Sequence, residues 1–131
     1  MKRKTLLTKS YMDFGLLILR LSVGALMLLG HGLPKLRSFE SSFHKFPDPI
    51  GLGSELSYLL AVFAEVLCSI ALILGWYTRL AVIPLMILMV VVITTIHIDD
   101  PWNKKEFALM YLIPYLTIFF TGPGKFSLNR R

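Results

Sequence analysis

Two ionisable residues stand inside stretches that are otherwise apolar, and residues of these types could support proton chemistry. Arg20 lies in an apolar run that continues to Lys35, and Glu65 lies near the centre of another apolar run. A charged side chain at the centre of a bilayer costs about 2.5 to 3.5 kcal/mol on a translocon scale, so such residues need partners and are functional by default. A carboxyl in a site of low dielectric can accept or deliver protons. Arg20 and Glu65 are therefore the first candidates for a functional site.

Four apolar stretches predict the helices that position these residues. They cover about residues 14–32, 56–77, 80–98 and 106–121, and each is close to the roughly 17 to 25 residues that cross a hydrocarbon core. The chain of 131 residues is 55% hydrophobic, with a mean hydropathy of +0.65, well above a soluble domain of this size. Short connections make successive helices antiparallel neighbours. We predict an all-α fold, a four-helix transmembrane bundle with up-down-up-down topology, as a single domain over residues 1–131.

The net charge of +6 indicates membrane topology and not binding to nucleic acid. The basic residues lie at helix ends and in short loops, and no segment resembles a nucleic-acid recognition motif. With the amino terminus inside, eight basic residues fall on the inner side: Lys2, Arg3, Lys4, Lys9, Arg79, Lys125, Arg130 and Arg131. Five fall on the outer side: Lys35, Arg37, Lys45, Lys104 and Lys105. The positive-inside rule therefore predicts a multi-pass membrane protein with both termini cytoplasmic.

Arg20 and Glu65 are expected to pair with each other in the middle of the bundle. At a rise of 1.5 Å per residue, Arg20 lies about eleven residues below the outer end of the first helix, and Glu65 about nine below the outer end of the second. The two depths agree to within a helical turn, and pairing would offset much of the cost of burying two charges. Such a pair could serve proton transfer, or it could serve only as a lock that fixes the register of the helices.

A second polar group is expected at the outer rim of the bundle. Its members lie at the ends of three helices: His31, Lys35, His97 and Glu106. An up-down-up-down path brings these helix ends to one side of the membrane. The histidines and Glu106 are suitable metal ligands by type, but they lack HxxxH or ExxH spacing, so we predict no metal site. The loop of residues 33–55 is longer than most connections, which favours a lid or an interfacial segment.

Four segments, in this order, resemble the DoxX family of small bacterial and archaeal membrane proteins. They are RLSVGALMLLGHGLPKL at 20–36, AEVLCSIALILGWYTRLAVI at 64–83, EFALMYL at 106–112 and TGPGKFSLNR at 121–130. The combination is specific: an intramembrane Arg before HGxxK, a mid-helix Glu before LGxxTR and a terminal TGPGxxSL. The resemblance implies a four-helix membrane bundle associated with redox proteins. The family takes its name from a subunit linked to an archaeal terminal quinol oxidase, and relatives are linked to thiosulfate oxidation coupled to quinone.

The resemblance implies that the protein is a membrane subunit linked to quinone-dependent redox chemistry, with quinone as the cofactor. The residues expected to carry this chemistry are Glu65, His31 and Glu106 in catalytic roles, with Arg20, Lys35 and His97 binding the quinone. The single cysteine, Cys68, excludes an internal dithiol relay, and the chain has no iron–sulfur cysteines or nucleotide-binding glycines. We therefore expect the electrons to come from a protein partner in a redox complex.

Other function classes stay open beside this one. The protein could be a non-catalytic membrane anchor or assembly factor for a redox partner, or a binder of a small apolar molecule, and Arg20 and Glu65 would then act only as a lock. A transporter or proton-conducting protein is the third class, although four short helices give no inverted-repeat signal. Catalysis by this chain and assembly into a homo-oligomer in the lipid bilayer are also left open.

Overall fold

Four long helices carry most of the chain. The computed structural model describes residues 2–129, and over this range the chain is all-helical with no strand, which confirms the all-α prediction. The long helices are α1 (residues 2–37), α2 (Ser54–Leu74), α3 (Thr78–Ile96) and α4 (Trp102–Thr121). A short helix, Phe39–Ser42, lies in the loop between α1 and α2. Arg130 and Arg131, which entered the charge-based topology, lie outside the described residues.

Helix α1 is longer than predicted at both of its ends. It is α-helical over Lys2–Met27, π-helical over Leu28–Gly32 and α-helical again over Leu33–Arg37. The predicted end at Gly32 is wrong, because Pro34 does not stop the helix. In the π turn the N–H of Leu33 donates to the carbonyl oxygen of Leu28, five residues earlier. This wider turn comes just before the proline, whose ring would otherwise crowd the carbonyl four residues before it.

Helices α2 and α3 each contain a π-helical segment as well. In α2 the segment Phe63–Cys68 separates Ser54–Val62 from Ser69–Leu74, and in α3 the segment Val92–Ile96 follows Thr78–Val91. Such segments inside α-helices are rare and are frequently found at functional sites. The segments of α1 and α2 contact each other, which makes this contact a region of interest.

Three of the helices are long and apolar enough to cross a membrane: Arg3–Arg37, Ser54–Leu74 and Thr78–Ile96. Helix α4 has 20 residues, but Lys104, Lys105 and Glu106 place three charges in its first turns, and it is not among these three. Three candidate spans in an all-helical chain agree with a membrane protein. The fourth span stays a prediction.

The core lies where α3 packs along α4 and where α1 packs against the second half of α2. Its most deeply buried side chains come from all four helices: Met27, Leu72, Val82, Leu85, Tyr115 and Ile118. Large apolar side chains also cover the outer surface, since Leu67 and Ile87 are each 59% exposed and Phe120 is 75% exposed. A surface of this kind suits lipid as the solvent, because water would disfavour so much exposed apolar area.

The chain after α4, which we call the C-terminal segment (residues 122–129), folds back against the end of α2. The N–H groups of Leu128 and Asn129 donate to the carbonyl oxygens of Leu74 and Gly75, each at 3.2 Å. The side-chain oxygen of Asn129 accepts the N–H of Tyr77 at 2.7 Å. This segment therefore closes one end of the helices, the tail end, whereas the loop between α1 and α2 covers the opposite end, the loop end.

Candidate functional site

A cavity of about 480 Å³ lies at the loop end, between α2, α3 and the loop that follows α1. The loop and α2 contribute a wall of apolar residues: Phe46, Pro47, Pro49, Ile50, Leu52, Leu60, Ala61, Phe63 and Ala64. Helix α3 contributes a second apolar wall: Pro84, Ile87, Leu88, Val91, Val92 and Ile96. The remaining lining residues are polar, namely Ser57, Lys35 and Glu65. Small-molecule sites typically have this volume, with apolar walls and a few polar groups that orient the ligand.

Lys35 and Glu65 form an ion pair that borders this cavity. The Lys35 Nζ atom lies 2.8 Å from Oε2 of Glu65 and donates a hydrogen bond to Oε1 at 3.0 Å. The Glu65 side chain is 5% exposed and that of Lys35 is 26% exposed. An ammonium group has three N–H donors, and the two carboxylate oxygens can engage only two of them. The pair is therefore neutral overall, and Lys35 still has an N–H group that can donate to a ligand.

The local backbone explains why Lys35 reaches Glu65. Glu65 lies in the π-helical segment of α2, and Gly32 ends the π turn of α1. A Cβ atom on Gly32 would lie 2.7 Å from the carbonyl oxygen of Glu65 and 2.9 Å from Cγ2 of Val66. Because Gly32 has no side chain, α1 and α2 approach closely here, and one helical turn later Lys35 comes within reach of the carboxylate.

Aromatic residues hold the loop against the start of α2. The hydroxyl of Tyr58 donates to the carbonyl oxygen of Lys35 at 2.6 Å. The ring of Tyr58, which is 1% exposed, contacts the rings of Phe39, Phe43 and Phe46 at centroid distances of 5.5 to 5.7 Å. This cluster fixes both the end of α1 and the start of the loop, and so it fixes one wall of the cavity.

Asp48 holds the other half of the loop. Its carboxylate oxygens accept the N–H groups of Leu52 at 2.8 Å and Gly53 at 2.9 Å, and the hydroxyl of Ser57 at 3.1 Å. The hydrogen bond from the Gly53 N–H is the main reason that the pKa of Asp48 lies below its ordinary value, followed among the favourable contacts by that from Ser57. The ionised carboxylate thus joins the loop to the first turn of α2.

Helix α4 packs aromatic residues against His31 of α1. The ring centroids of Tyr111 and Tyr115 lie 6.2 Å apart, and Tyr115 is fully buried. The buried hydroxyl of Tyr115 has no hydrogen-bond partner within residues 2–129. The ring of His31 lies 5.6 Å from that of Tyr111 and 5.3 Å from that of Phe107. His31 is therefore near the tyrosines of α4 and is not part of the cavity lining.

Arg20 does not pair with Glu65, so that prediction is wrong. Its guanidinium donates instead to backbone carbonyl oxygens, those of Leu72 (3.1 Å), Ile73 (3.0 Å), Pro123 (2.8 Å) and Phe126 (2.8 Å). The depth estimate failed because Gly32, taken as the outer end of α1, lies against Glu65 itself. Arg20 precedes Gly32 by about 12 residues, which is about 18 Å along the helix at 1.5 Å per residue. It therefore lies at the tail end.

The remaining predicted residues, His97 and Glu106, do not line the cavity. His97 pairs with Asp100, with Nδ1 2.5 Å from Oδ2, and Glu106 is exposed at the start of α4. Cys68 is buried in α2. Across the described part of the chain, no group of three or more His, Cys, Asp or Glu side chains is placed to hold a metal ion. Of the six predicted site residues, the cavity unites Lys35 and Glu65, and the roles assigned to all six stay predictions.

Sequence reasoning missed the apolar walls of the cavity and the role of Tyr58. Besides the packing of its ring, the hydroxyl of Tyr58 holds the carbonyl oxygen of Lys35. The Pro47-Asp48-Pro49 sequence followed by two glycines signals a structured turn. It gives no indication of the helices against which that turn packs.

Comparison with known proteins identifies the family of the chain. The family model described as DoxX matches residues 15–98, which include most of α1 and all of α2 and α3. The chain is 29% identical to the uncharacterized membrane protein Rv3486 of Mycobacterium tuberculosis, over 86% of this chain and 78% of that protein. It is also 29% identical to the inner membrane protein YphA of Escherichia coli, over 95% of this chain and 99% of that protein. No solved structure matches the chain. The family match covers more than half of the sequence, and the chain therefore belongs to the DoxX family of membrane proteins.

Proposed function

We propose that the protein binds a lipid-soluble molecule with a hydrogen-bonding head group, of the quinone class, as the membrane subunit of a redox system. The observation that carries the proposal is the cavity of about 480 Å³ whose apolar walls end at the buried Lys35–Glu65 ion pair. Apolar walls suit a hydrocarbon ring and tail, and the ammonium group suits a carbonyl oxygen. The residues present therefore fit such a ligand.

The ion pair supplies what a quinone site requires of its protein. Quinone accepts two electrons and two protons when it is reduced, and its carbonyl oxygens are the positions that gain the protons. Lys35 donates a hydrogen bond toward a carbonyl oxygen and so orients the head group. In its protonated form Glu65 gives a proton to the oxygen that is reduced, and the carboxylate that remains, paired with Lys35, is reprotonated from water.

The electrons come from a protein partner, because this chain carries a single buried cysteine and no evident redox group of its own. The protein is then a membrane subunit whose own residues bind quinone and move protons, with His31 and Glu106 in supporting catalytic roles. The bulky apolar side chains on the outer surface are available for contact with lipid, with a partner or with a second copy of the chain.

We further propose that α4 crosses the membrane, which completes a four-helix bundle with up-down-up-down topology. Its 20 residues suffice for the hydrocarbon core, and it packs along the apolar helix α3. The charge distribution then puts both termini in the cytoplasm, with the loop end outside. A bacterial inner membrane is the proposed location, in line with the description of the Escherichia coli relative as an inner membrane protein.

One observation favours a second, non-catalytic function. The charges of Lys35 and Glu65 already neutralise each other, and an ion pair of this kind can serve only to fix the register of two helices. The protein would then be an anchor or assembly factor for a redox partner, or a binder of an apolar molecule without a role in its chemistry. The two functions differ in what the Glu65 carboxylate does.

Binding of a short-chain quinone to the full-length protein in lipid nanodiscs tests the proposal. The variant Leu88→Trp fills the cavity with an indole ring, and we expect it to weaken quinone binding by about tenfold or more. The variant Leu80→Trp is the matched control, since Leu80 lies on the same helix and is 65% exposed. Equal affinity for Leu88→Trp, Leu80→Trp and the native protein would overturn the cavity as a quinone site.

The variant Glu65→Gln separates the redox function from the non-catalytic one. It keeps the shape of the side chain and removes the proton-accepting charge. We expect a folded protein that still binds quinone but loses quinone-dependent electron transfer in the complex with its partner. Full electron transfer by this variant would exclude proton exchange at Glu65 and leave the anchor function.

A further inference from the structure

A second cavity, of about 520 Å³, lies at the tail end, on the side of the bundle opposite to the ion pair. It opens between the first turns of α1, the start of α3 and the junction of α4 with the C-terminal segment. Three of its lining side chains are basic and one is acidic: Lys9, Arg79, Lys125 and Asp13. Nothing in the proposed quinone chemistry uses these residues.

The acidic residue, Asp13, holds one wall of this cavity in place. Asp13 is 8% exposed, and its Oδ1 accepts the backbone N–H of Lys125 at 3.1 Å. The carboxylate therefore ties the C-terminal segment to α1. Within residues 2–129 no carboxylate lies within ion-pair distance of Lys9, Arg79 or Lys125. Three cations thus share the cavity with a single carboxylate in that range, and none of them forms an ion pair with it.

Arg79 is held in place by the backbone around it, and Lys125 lies over an aromatic ring. The Nε atom of Arg79 donates to the carbonyl oxygen of Phe119 at 3.1 Å. Its Nη2 atom lies so close to Gly122 that a Cβ there would be 3.0 Å away, and Gly122 has a φ of +80° that favours glycine. The Nζ atom of Lys125 lies 5.7 Å from the centroid of the Phe126 ring.

Arg20 fixes the same segment from the bundle side. Its Nη1 atom donates to the carbonyl oxygens of Pro123 and Phe126, each at 2.8 Å, and these residues flank Lys125 in sequence. The loop that carries Lys125 is therefore anchored both by Arg20 and by Asp13. Arg79 and the backbone of this loop are therefore held in place before a ligand binds, whereas Lys9 and Lys125 are exposed side chains that can turn toward the ligand.

We propose that this cavity binds a phosphate-bearing anion. Phosphate oxygens accept charge-assisted hydrogen bonds from guanidinium and ammonium groups, and Arg79 offers a planar fork for two such bonds. The two sources of this chemistry are the head group of an anionic phospholipid and a soluble phosphate. The proposal is independent of quinone binding, because the two cavities lie at opposite ends of the bundle and share no lining residue.

Titration calorimetry on the full-length protein in a neutral detergent tests the site with two probes, dihexanoyl phosphatidylglycerol and inorganic phosphate. The double variant Lys9→Gln/Lys125→Gln removes two of the cations and leaves the backbone hydrogen bond to Asp13. We expect its Kd to rise by about tenfold or more for whichever probe binds. The control Lys104→Gln/Lys105→Gln removes the same charge from the start of α4 and should change the Kd by less than about twofold.

The pattern of binding identifies the source of the phosphate. Binding of phosphatidylglycerol without inorganic phosphate assigns the site to a lipid, and inorganic phosphate that binds and competes with the lipid assigns it to a soluble anion. Binding of neither probe overturns the proposal, as does an unchanged Kd in a double variant whose circular dichroism and gel-filtration profile match those of the native protein. If the double variant does not fold, Lys9→Gln alone tests the same prediction, because Lys9 is exposed on α1.

Discussion

Arg20 acts on the backbone of two segments that have unsatisfied carbonyl groups. The last turn of an α-helix leaves carbonyl oxygens without intrahelical donors, and Leu72 and Ile73 lie in the last turn of α2. Pro123 and Phe126 lie in a segment with no regular structure. One guanidinium with five N–H donors serves both, and its positive charge suits the negative end of the helix dipole. The charge in this helix is therefore explained by carbonyl groups, with no carboxylate needed.

Replacement of Arg20 by methionine should destabilise the protein strongly. The variant loses four charge-assisted hydrogen bonds and leaves the carbonyl groups of Ile73, Pro123 and Phe126 without this donor, at about 1 to 3 kcal/mol for each group. We expect the free energy of unfolding to fall by at least about 3 kcal/mol and the C-terminal segment to become sensitive to protease. Thermal unfolding and limited proteolysis in detergent measure both effects. The control Arg37→Met removes an exposed arginine from the same helix, and an equal loss in both variants would contradict this role for Arg20.

Asp48 should make the loop that lines the loop-end cavity sensitive to acid. Its pKa in the folded protein lies below the ordinary value of 3.8, mainly through the hydrogen bond from the Gly53 N–H. A carboxyl with a lowered pKa stabilises the fold above its unfolded pKa, and this contribution is lost as the pH falls through the folded pKa. We therefore expect amide exchange in residues 46–53 to increase as the pH drops below 3.8.

The variant Asp48→Asn provides the comparison for this pH effect. It has a side chain of the same shape but no titrating group, so its loop should exchange faster at neutral pH and show little further change on acidification. Hydrogen exchange followed by mass spectrometry measures both proteins across the same range. A native loop whose exchange, corrected for intrinsic rates, does not depend on pH would contradict the structural role given to the carboxylate.

At the scale of the elements, the close approach of α1 and α2 at Gly32 determines the geometry of the ion pair. The variant Gly32→Ala would place a Cβ 2.7 Å from the carbonyl oxygen of Glu65, which is too close for any real contact. Because the neighbouring atoms are backbone, the helices must move apart. We expect a lower thermal stability, a longer distance from Lys35 to Glu65 and weaker binding of quinone.

Gly30 supplies a matched control in the same π turn. No atom lies within 4 Å of the position that its Cβ would take. The variant Gly30→Ala should therefore be neutral, or stabilising by up to about 1 kcal/mol through the better helix propensity of alanine. Melting temperatures of both variants and their affinities for quinone measure the difference. Equal behaviour of the two variants would show that contact between α1 and α2 at Gly32 does not control the site.

For the whole molecule, the sequence was sufficient for the helices and for the family, but not for the position of one helix along another. Apolar runs and polar connectors predicted α2 and α3 to within a few residues. The end of α1 was wrong because a π turn carries the helix past Pro34. That error moved the expected partner of Glu65 from Lys35 to Arg20. The cavity could not be predicted, because it depends on how the loop packs around Tyr58.

The proposed topology has a direct test in cells through the labelling of single cysteines. Cys68 is buried, so a Cys68→Ala protein provides the background. Exposed positions at the loop end, Ser41→Cys and Asn103→Cys, should react with a membrane-impermeant maleimide in intact cells. Exposed positions at the tail end, Ser10→Cys and Leu128→Cys, should react only after the cells are permeabilised.

The positions Asn103 and Leu128 test whether α4 crosses the membrane, because they lie at its opposite ends. If α4 spans the membrane, these two positions are labelled from opposite sides, and the basic tail-end cavity faces the cytoplasm while the ion pair lies near the outer surface. Labelling of both Asn103→Cys and Leu128→Cys from the same side would show that α4 does not cross. Labelling of Ser10→Cys from outside would instead reverse the orientation and place the three cations of the tail-end cavity at the outer surface, against the positive-inside rule.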